Sequence, residues 1–167
     1  MVVISRVGGE GSDLPTDMST VNYTDNSTEY KDFEDGQHYL SLSKTERDMV
    51  DLVCSNFDNV VLVYNGANTL ELGFVDEHPQ IKSVIWCPGT GQTGFNALGE
   101  IVAGEVNPSG HSADTFVYDL TATPSFNNIG DFTYTNADSL GYTAAGSFGR
   151  DPEQVTPHFV NYVEGIY

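Results

Sequence analysis

Two continuous runs of apolar residues constrain the fold of this chain more than any other feature. Val60 to Tyr64 and Ser83 to Cys87 are strand-length segments that lack the polar and apolar alternation of a half-exposed strand. Such runs are typical of strands covered on both faces, as in a parallel sheet packed between helices. Val2 to Ile4 is a shorter β-branched run that stops at Ser5 and Arg6 and is followed by glycines. We therefore predict three buried strands, with the second parallel to its neighbours and central in the sheet.

Segments with helical spacing separate these runs. Ser43 to Glu46 matches the capping-box pattern of a helix start. An apolar stripe follows at helical spacing: Met49, Val50, Val53 and Phe57. The pattern predicts a helix from about Lys44 to Phe57, a short helical stretch near Thr69 to Phe74, and a helix over Asn96 to Ala103. This alternation of strands and helices is typical of an α/β fold with right-handed crossovers.

The chain divides into an ordered-looking first part and a less regular remainder. Residues 1 to 110 are predicted to form an α/β layered sandwich with a mainly parallel, flavodoxin-like sheet. We expect this domain to be incomplete, because Met1 leads directly into the first strand. Residues 12 to 39 are polar and aperiodic, which indicates a long excursion that carries function or contacts another domain. Residues 111 to 167 are predicted to be an irregular tail, with one extended strand near Thr115 to Tyr118, that packs on the same or a neighbouring domain.

The charge balance excludes one class of partner. The 167 residues contain 24 acidic and 6 basic side chains, which give a formal net charge of −18 at pH 7. A surface of this sign repels phosphate backbones, so we expect no nucleic acid partner. No apolar run is long enough to span a membrane and no signal peptide is visible, so we expect no membrane contact by this chain. The sequence leaves the cellular compartment open.

The residues that commonly bind metals are not arranged for it. Cys54 and Cys87 lie in apolar segments outside any metal-ligand spacing and are predicted to be buried free thiols. The histidines are far apart, so we expect surface or loop positions and neither a metal nor a cofactor site. They are His38, His78, His111 and His158.

An acidic side chain follows the first strand between glycines. Gly9 and Gly11 flank Glu10, so the backbone can bend tightly and approach a ligand closely. Loops at the carboxyl ends of parallel strands are the usual ligand-binding loops of such sheets. By local features alone, Glu10 is either an acidic turn residue or a catalytic acid.

Longer motifs carry a resemblance to a known family. Residues 2 to 13 resemble the segment of family 3 glycoside hydrolases in which a strand ends in Arg-x-Gly/Ser-Gly-Glu-Gly-x-Asp. Further matches follow in the family's order, and the most specific pair is Pro88 to Gly94 followed by Gly104 to Gly110. Tyr162 to Tyr167 resembles the segment where such enzymes leave this domain. The chain departs from the pattern at Leu14, where many members have arginine, so contacts of that arginine do not carry over.

The resemblance implies a function shared between two domains. Family members are retaining β-glycosidases in which a barrel domain supplies an aspartate nucleophile and an α/β sandwich supplies the glutamate acid/base. Glu10 occupies the position of that glutamate, and Arg6, Gly9 and Asp13 are implied as substrate-binding residues beside it. The implied substrate is a β-linked glucoside or oligosaccharide that is cleaved at its non-reducing end without a cofactor. Without a barrel domain, the chain is expected to have little or no activity.

Two other interpretations stay open at the level of sequence. The chain could be a non-catalytic flavodoxin-like scaffold or carbohydrate-binding module whose glycine-rich loops serve recognition alone. It could also be a piece of a longer protein with no independent role.

Overall fold

The computed structural model describes residues 1–8, 14–22 and 24–123 of the chain. Its regular elements are three strands and two α-helices. They are β1 (Val2–Ser5), α1 (Lys44–Asn56), β2 (Val60–Asn65), β3 (Ile81–Trp86) and α2 (Phe95–Val102). Short 3-10 helices cover Met18–Thr20, Gly73–Glu77 and Leu120–Ala122.

The three strands form one parallel sheet in the order β1-β2-β3. Leu62 in the central strand pairs with Val2 on one side and with Val84 on the other. The pairing with β3 is irregular between Val60 and Val61, near the start of β2. The prediction of a parallel sheet with β2 at its centre is confirmed for the described residues.

Helices cover both faces of the sheet. Because side chains alternate across a strand, Leu62 and Tyr64 lie on one face and Val63 lies on the other. The larger core includes α1 and the first of these faces: Val2, Ile4, Leu42, Val50, Cys54, Val60, Leu62, Tyr64, Leu70 and Phe74. The smaller core joins α2 to the second face: Val63, Cys87 and Leu98. The fold is therefore α/β with helices layered on both sides of a parallel sheet, as predicted.

Helix α1 begins as the sequence predicts. The Ser43 hydroxyl accepts a hydrogen bond from the Glu46 amide, and the Glu46 carboxylate accepts one from the Ser43 amide, which completes the capping box. Val50 and Cys54 are buried on its inner face. The prediction that Phe57 continues the stripe is wrong, because the backbone becomes extended at this residue (φ −137°, ψ 131°). Phe57 leaves the helical face and is 62% exposed.

The short helix between β2 and β3 begins later than predicted. Backbone groups in the predicted stretch bond to distant segments: the Glu71 amide donates to the Leu40 carbonyl oxygen and the Leu72 amide to the Val117 carbonyl oxygen. These amides bond outside the stretch rather than to a preceding helical turn, and the 3-10 helix covers Gly73–Glu77 instead. The extended strand predicted near residues 115 to 118 is reduced to a single bridge residue, Val117.

The polar excursion before α1 has a core of its own. Its buried residues are Met18, Phe33 and Tyr39, with Leu14, Val21 and Leu40 packed against them. The sequence shows no period here because loops and one short 3-10 helix, rather than a long regular element, bring these side chains together. Leu14, where many family members have arginine, packs against these residues, which we call the excursion core.

Candidate active site

The carboxyl ends of the three strands are tied together by one side chain, Asn65. Its amide oxygen lies 3.1 Å from the Ser5 hydroxyl, which donates to it, and its amide nitrogen donates to the Cys87 carbonyl oxygen at 2.8 Å. The indole nitrogen of Trp86 donates to the Gly66 carbonyl oxygen at 2.8 Å. These bonds fix the relative positions of the loops that leave β1, β2 and β3, at the edge where parallel sheets bind ligands.

Two glycines at this edge allow close approach between side chains and backbone. A Cβ atom at Gly66 would lie 2.4 Å from the Tyr64 hydroxyl oxygen, which is closer than atoms can pack. A Cβ atom at Gly8 would lie 2.6 Å from the Asn68 amide nitrogen. The loop after β2 therefore lies directly against Gly8, the first residue of the segment 8–11 that we call the glycine-rich loop.

Arg6 directly follows β1, and its side chain is buried among protein groups. Its side chain is 8% exposed, forms an ion pair with Glu46 and donates to the Ser41 carbonyl oxygen at 2.8 Å. The guanidinium carbon lies 5.1 Å from the ring centroid of Tyr39 and 5.5 Å from that of Phe33. The excursion and α1 thus both contact the residue from which the glycine-rich loop departs.

Burial raises the pKa of two groups near Arg6. It raises the pKa of Glu46, although the Arg6 charge and the hydrogen bonds from Ser43 oppose this shift. Burial likewise raises the pKa of Tyr64 to about 12, so this phenol stays protonated. Within the described residues, neither the Tyr64 hydroxyl nor Nε of Arg6 has a hydrogen-bond partner. Near the end of β1, the larger core therefore includes buried polar groups as well as apolar side chains.

Tyr39 contacts the chain on both sides of the glycine-rich loop. Its hydroxyl accepts a hydrogen bond from the Val7 amide and donates one to the Val7 carbonyl oxygen, each at 2.9 Å. The Tyr39 amide donates to the Pro15 carbonyl oxygen at 3.1 Å. One buried residue of the excursion therefore bonds to residues that precede and follow Glu10 in the sequence.

The predicted site residues are only partly within the described structure. Arg6 is described, whereas Gly9, Glu10 and Asp13 lie outside the described residues. Their assigned roles stay predictions, and so does the substrate-binding role of Arg6. Sequence reasoning did not single out Tyr39 or Asn65 as residues around this site, since no local motif marks contacts made across 32 or 60 positions.

Two histidines that we expected at the surface or in loops lie in loops but are buried. His38 is 5% exposed and His78 is 9% exposed, so the surface part of the prediction is wrong for both. His38 Nε2 contacts Glu71 at 2.8 Å, and His78 Nε2 contacts Asp51 at 2.7 Å. Carboxylates remote in sequence satisfy these rings, which allows their burial. His111 is exposed, and His158 lies outside the described residues.

Cys54 and Cys87 are both buried free thiols, as predicted. In the part of the chain that the structure describes, no group of three or more His, Cys, Asp or Glu side chains could hold a metal ion. No helix among the same residues is both long and apolar enough to cross a membrane.

Comparison with known proteins gives a consistent result. Residues 2–167 match the family model described as "Glycosyl hydrolase family 3 C-terminal domain". The beta-glucosidase of Ruminococcus albus is 32% identical over 114 residues, which are 66% of this chain and 12% of that protein. Beta-glucosidase A of Butyrivibrio fibrisolvens is 32% identical over 151 residues, 85% of this chain and 18% of that protein. The thermostable beta-glucosidase B of Acetivibrio thermocellus is 28% identical over 133 residues, 77% of this chain and 17% of that protein. The matched regions are thus under a fifth of these relatives' lengths. No solved structure matches the chain.

Proposed function

This chain belongs to the C-terminal domain family of the family 3 glycosyl hydrolases, and we propose on that premise that it supplies the general acid/base of a retaining β-glucosidase-like enzyme. The observation that carries the proposal is the sequence position of Glu10. It follows β1, whose end lies at the carboxyl edge of the sheet, within a chain of this family.

The chemistry requires a second carboxylate from elsewhere. Retaining hydrolysis uses two carboxyl groups about 5 to 5.5 Å apart, one to attack the anomeric carbon and one to protonate the departing oxygen. Glu10 takes the second role in glycosylation and then, as a carboxylate, removes a proton from the water that hydrolyses the glycosyl-enzyme. A barrel domain carries the aspartate nucleophile. The chain without that domain has little or no activity.

The substrate is a β-linked glucoside or oligosaccharide that is cleaved at its non-reducing end. Relatives named as beta-glucosidases support this substrate class. Gly9 and Asp13 contact the sugar beside Glu10, and the family resemblance implies the same role for Arg6. The buried ion pair of Arg6 with Glu46 suits support of this edge better than direct contact with a sugar from solvent.

General acid catalysis near neutral pH requires Glu10 to be protonated in a useful fraction of molecules. The pKa of a glutamate rises when it is partly buried, and we propose that the barrel domain buries Glu10 in this way. The acid/base role therefore depends on contact between the two domains.

Substitution of Glu10 in the complete two-domain enzyme tests the proposal. Glu10→Gln should abolish hydrolysis of cellobiose, whose leaving group is poor, because that step needs the acid. Activated aryl glycosides should retain partial turnover, and added azide should increase it by replacing the water that lacks its base. Glu105→Gln is a matched control, since Glu105 is exposed and also follows a glycine.

Unchanged hydrolysis of cellobiose by Glu10→Gln would contradict the acid/base role. Calorimetry with glucose and cellobiose, beside an activity assay with and without a separately expressed barrel domain, separates the remaining outcomes. Sugar binding without restored hydrolysis would favour a recognition module over a catalytic domain.

A further inference from the structure

We propose that Tyr39 is a positioning residue for Glu10, acting through the backbone on both sides of the glycine-rich loop. The inference rests on the proposed acid/base function of Glu10. Its structural basis is independent of that function, because it consists of three hydrogen bonds made by one buried side chain and its own amide.

The Tyr39 hydroxyl holds the chain where it enters the glycine-rich loop. The last described sheet contact of this strand is the bond from the Arg6 amide to the Asn65 carbonyl oxygen at 2.9 Å. Beyond it, both backbone polar groups of Val7 bond to the Tyr39 hydroxyl. The hydroxyl thus holds the next residue in place of a neighbouring strand, as a partner for both its donor and its acceptor.

The Tyr39 amide contacts the chain at Pro15, after the glycine-rich loop. The Pro15 carbonyl oxygen accepts from the Tyr39 amide, so the same residue holds the chain where it returns from the loop. Constraining both ends of a short segment reduces the conformations that the residues between them can adopt. Tyr39 therefore constrains described residues that precede and follow Glu10 in the sequence, and this constraint is the basis of the proposed positioning role.

Tyr39 is itself held by packing and by the contacts of its neighbours in the sequence. Tyr39 is 8% exposed and belongs to the excursion core, with the Arg6 guanidinium over one face of its ring. The neighbouring residues are anchored to the main domain, since the Glu71 carboxylate contacts His38 and the Glu71 amide donates to the Leu40 carbonyl oxygen. The residues on either side of Tyr39 are therefore tied to the connection between β2 and β3.

A general acid must lie within hydrogen-bond reach of the atom that it protonates, and a displacement of about 1 Å can cost up to about 100-fold in rate. Tyr39→Phe removes both hydrogen bonds to Val7 and keeps the ring in the excursion core. We expect kcat for cellobiose to fall by about 10-fold or more with little change in KM. Activated aryl glycosides, which depend less on the acid, should be affected less.

Tyr30→Phe is the matched control. Tyr30 lies in the same excursion, and its hydroxyl bonds to Thr45 at 2.6 Å without contact to Val7. This variant should keep the rates of both substrates. Amide hydrogen exchange of Val7 gives a second readout, which should become faster in Tyr39→Phe and stay unchanged in Tyr30→Phe.

The outcomes separate the two proposals. If Glu10→Gln shows the leaving-group dependence and azide rescue while Tyr39→Phe slows both substrates equally or neither, the positioning role is wrong and the acid/base role stands. If Glu10→Gln hydrolyses cellobiose normally, the acid/base role is wrong, and slow Val7 exchange in the parent would then report a purely structural clamp. If Tyr39→Phe fails to fold, Val7→Pro removes the backbone amide that donates to the Tyr39 hydroxyl. The rates of this variant on cellobiose and on aryl glycosides are then compared in the same way.

Discussion

The Glu46 carboxylate has two partners, because it closes the capping box of α1 on the Ser43 amide and pairs with the Arg6 guanidinium at the end of β1. A local helix-start motif is thereby joined to the strand that leads into the glycine-rich loop. The charge on Glu46 and its hydrogen-bonding shape can be separated by substitution.

Glu46→Gln should destabilise the fold by roughly 2 kcal/mol, because glutamine can replace the capping bond but leaves the buried Arg6 charge unpaired. The loss stays below that of a fully broken buried pair, since burial already raises the pKa of Glu46. Ser43→Ala, which removes only a cap, should cost about 1 kcal/mol. Chemical denaturation measures both values. A Glu46→Gln variant as stable as the parent would show that the ion pair adds nothing, and Asp48→Asn, at an exposed pair, serves as the control.

Stability should depend on pH through His78. Its Nδ1 lies 2.8 Å from the Phe74 carbonyl oxygen and its Nε2 lies 2.7 Å from the Asp51 carboxylate, so both nitrogens donate only in the charged ring. Burial alone lowers the pKa of His78, but the bonds to Phe74 and Asp51 raise it above the ordinary 6.5. A raised folded-state pKa stabilises the fold below the unfolded value, and this contribution is lost as pH rises through the folded value.

The free energy of unfolding should therefore fall as pH rises from about 6.5 through the folded-state pKa of His78. Asp51→Asn should flatten this part of the profile, which urea denaturation between about pH 5.5 and 8.5 would record. His111→Gln, at an exposed ring, should leave the profile unchanged. A profile that keeps its slope in Asp51→Asn would contradict the assignment.

Gly66 should be intolerant of a side chain. Gly66→Ala places a methyl group against the fully buried Tyr64 hydroxyl, and overpacking of this kind costs about 1 to 3 kcal/mol. Tyr64→Phe should restore part of the loss in the double variant, because it removes the clashing oxygen. Thermal melting of the two single variants and the double variant tests this coupling. Gly89→Ala, shortly after β3, is the control, because no atom of the described residues lies within 4 Å of the added methyl group.

Asn65 should be needed as an amide rather than as a polar residue in general. Asn65→Asp keeps an acceptor for Ser5 but opposes the Cys87 carbonyl oxygen with a second oxygen, which should cost about 1 to 3 kcal/mol. Ser5→Ala removes only the more exposed bond and should cost less. If denaturation shows the two variants to be equally stable, the link to β3 contributes little.

Local patterns predicted the elements of this fold well, and contacts between distant positions were harder to predict. Ser43 and Glu46 are three residues apart, so the capping box is visible in the sequence, as are the apolar runs of β2 and β3. The partner of Tyr39 lies 32 positions away and that of His78 lies 27 positions away, and neither pairing leaves a spacing pattern. Phe57 shows the limit of periodicity, because an apolar residue in step with a helix is exposed once the helix has ended.

The unequal cores on the two faces of the sheet imply a hierarchy of local opening. Among the described residues, ten buried side chains form the core that includes α1, whereas three form the core beneath α2. In this part of the chain, α1 buries Val50 and Cys54 whereas α2 buries Leu98, so detachment of α2 should require less free energy. Within the described ranges, the sheet is therefore stabilised mainly by the core on the α1 face. Local unfolding of α2 should leave that core intact.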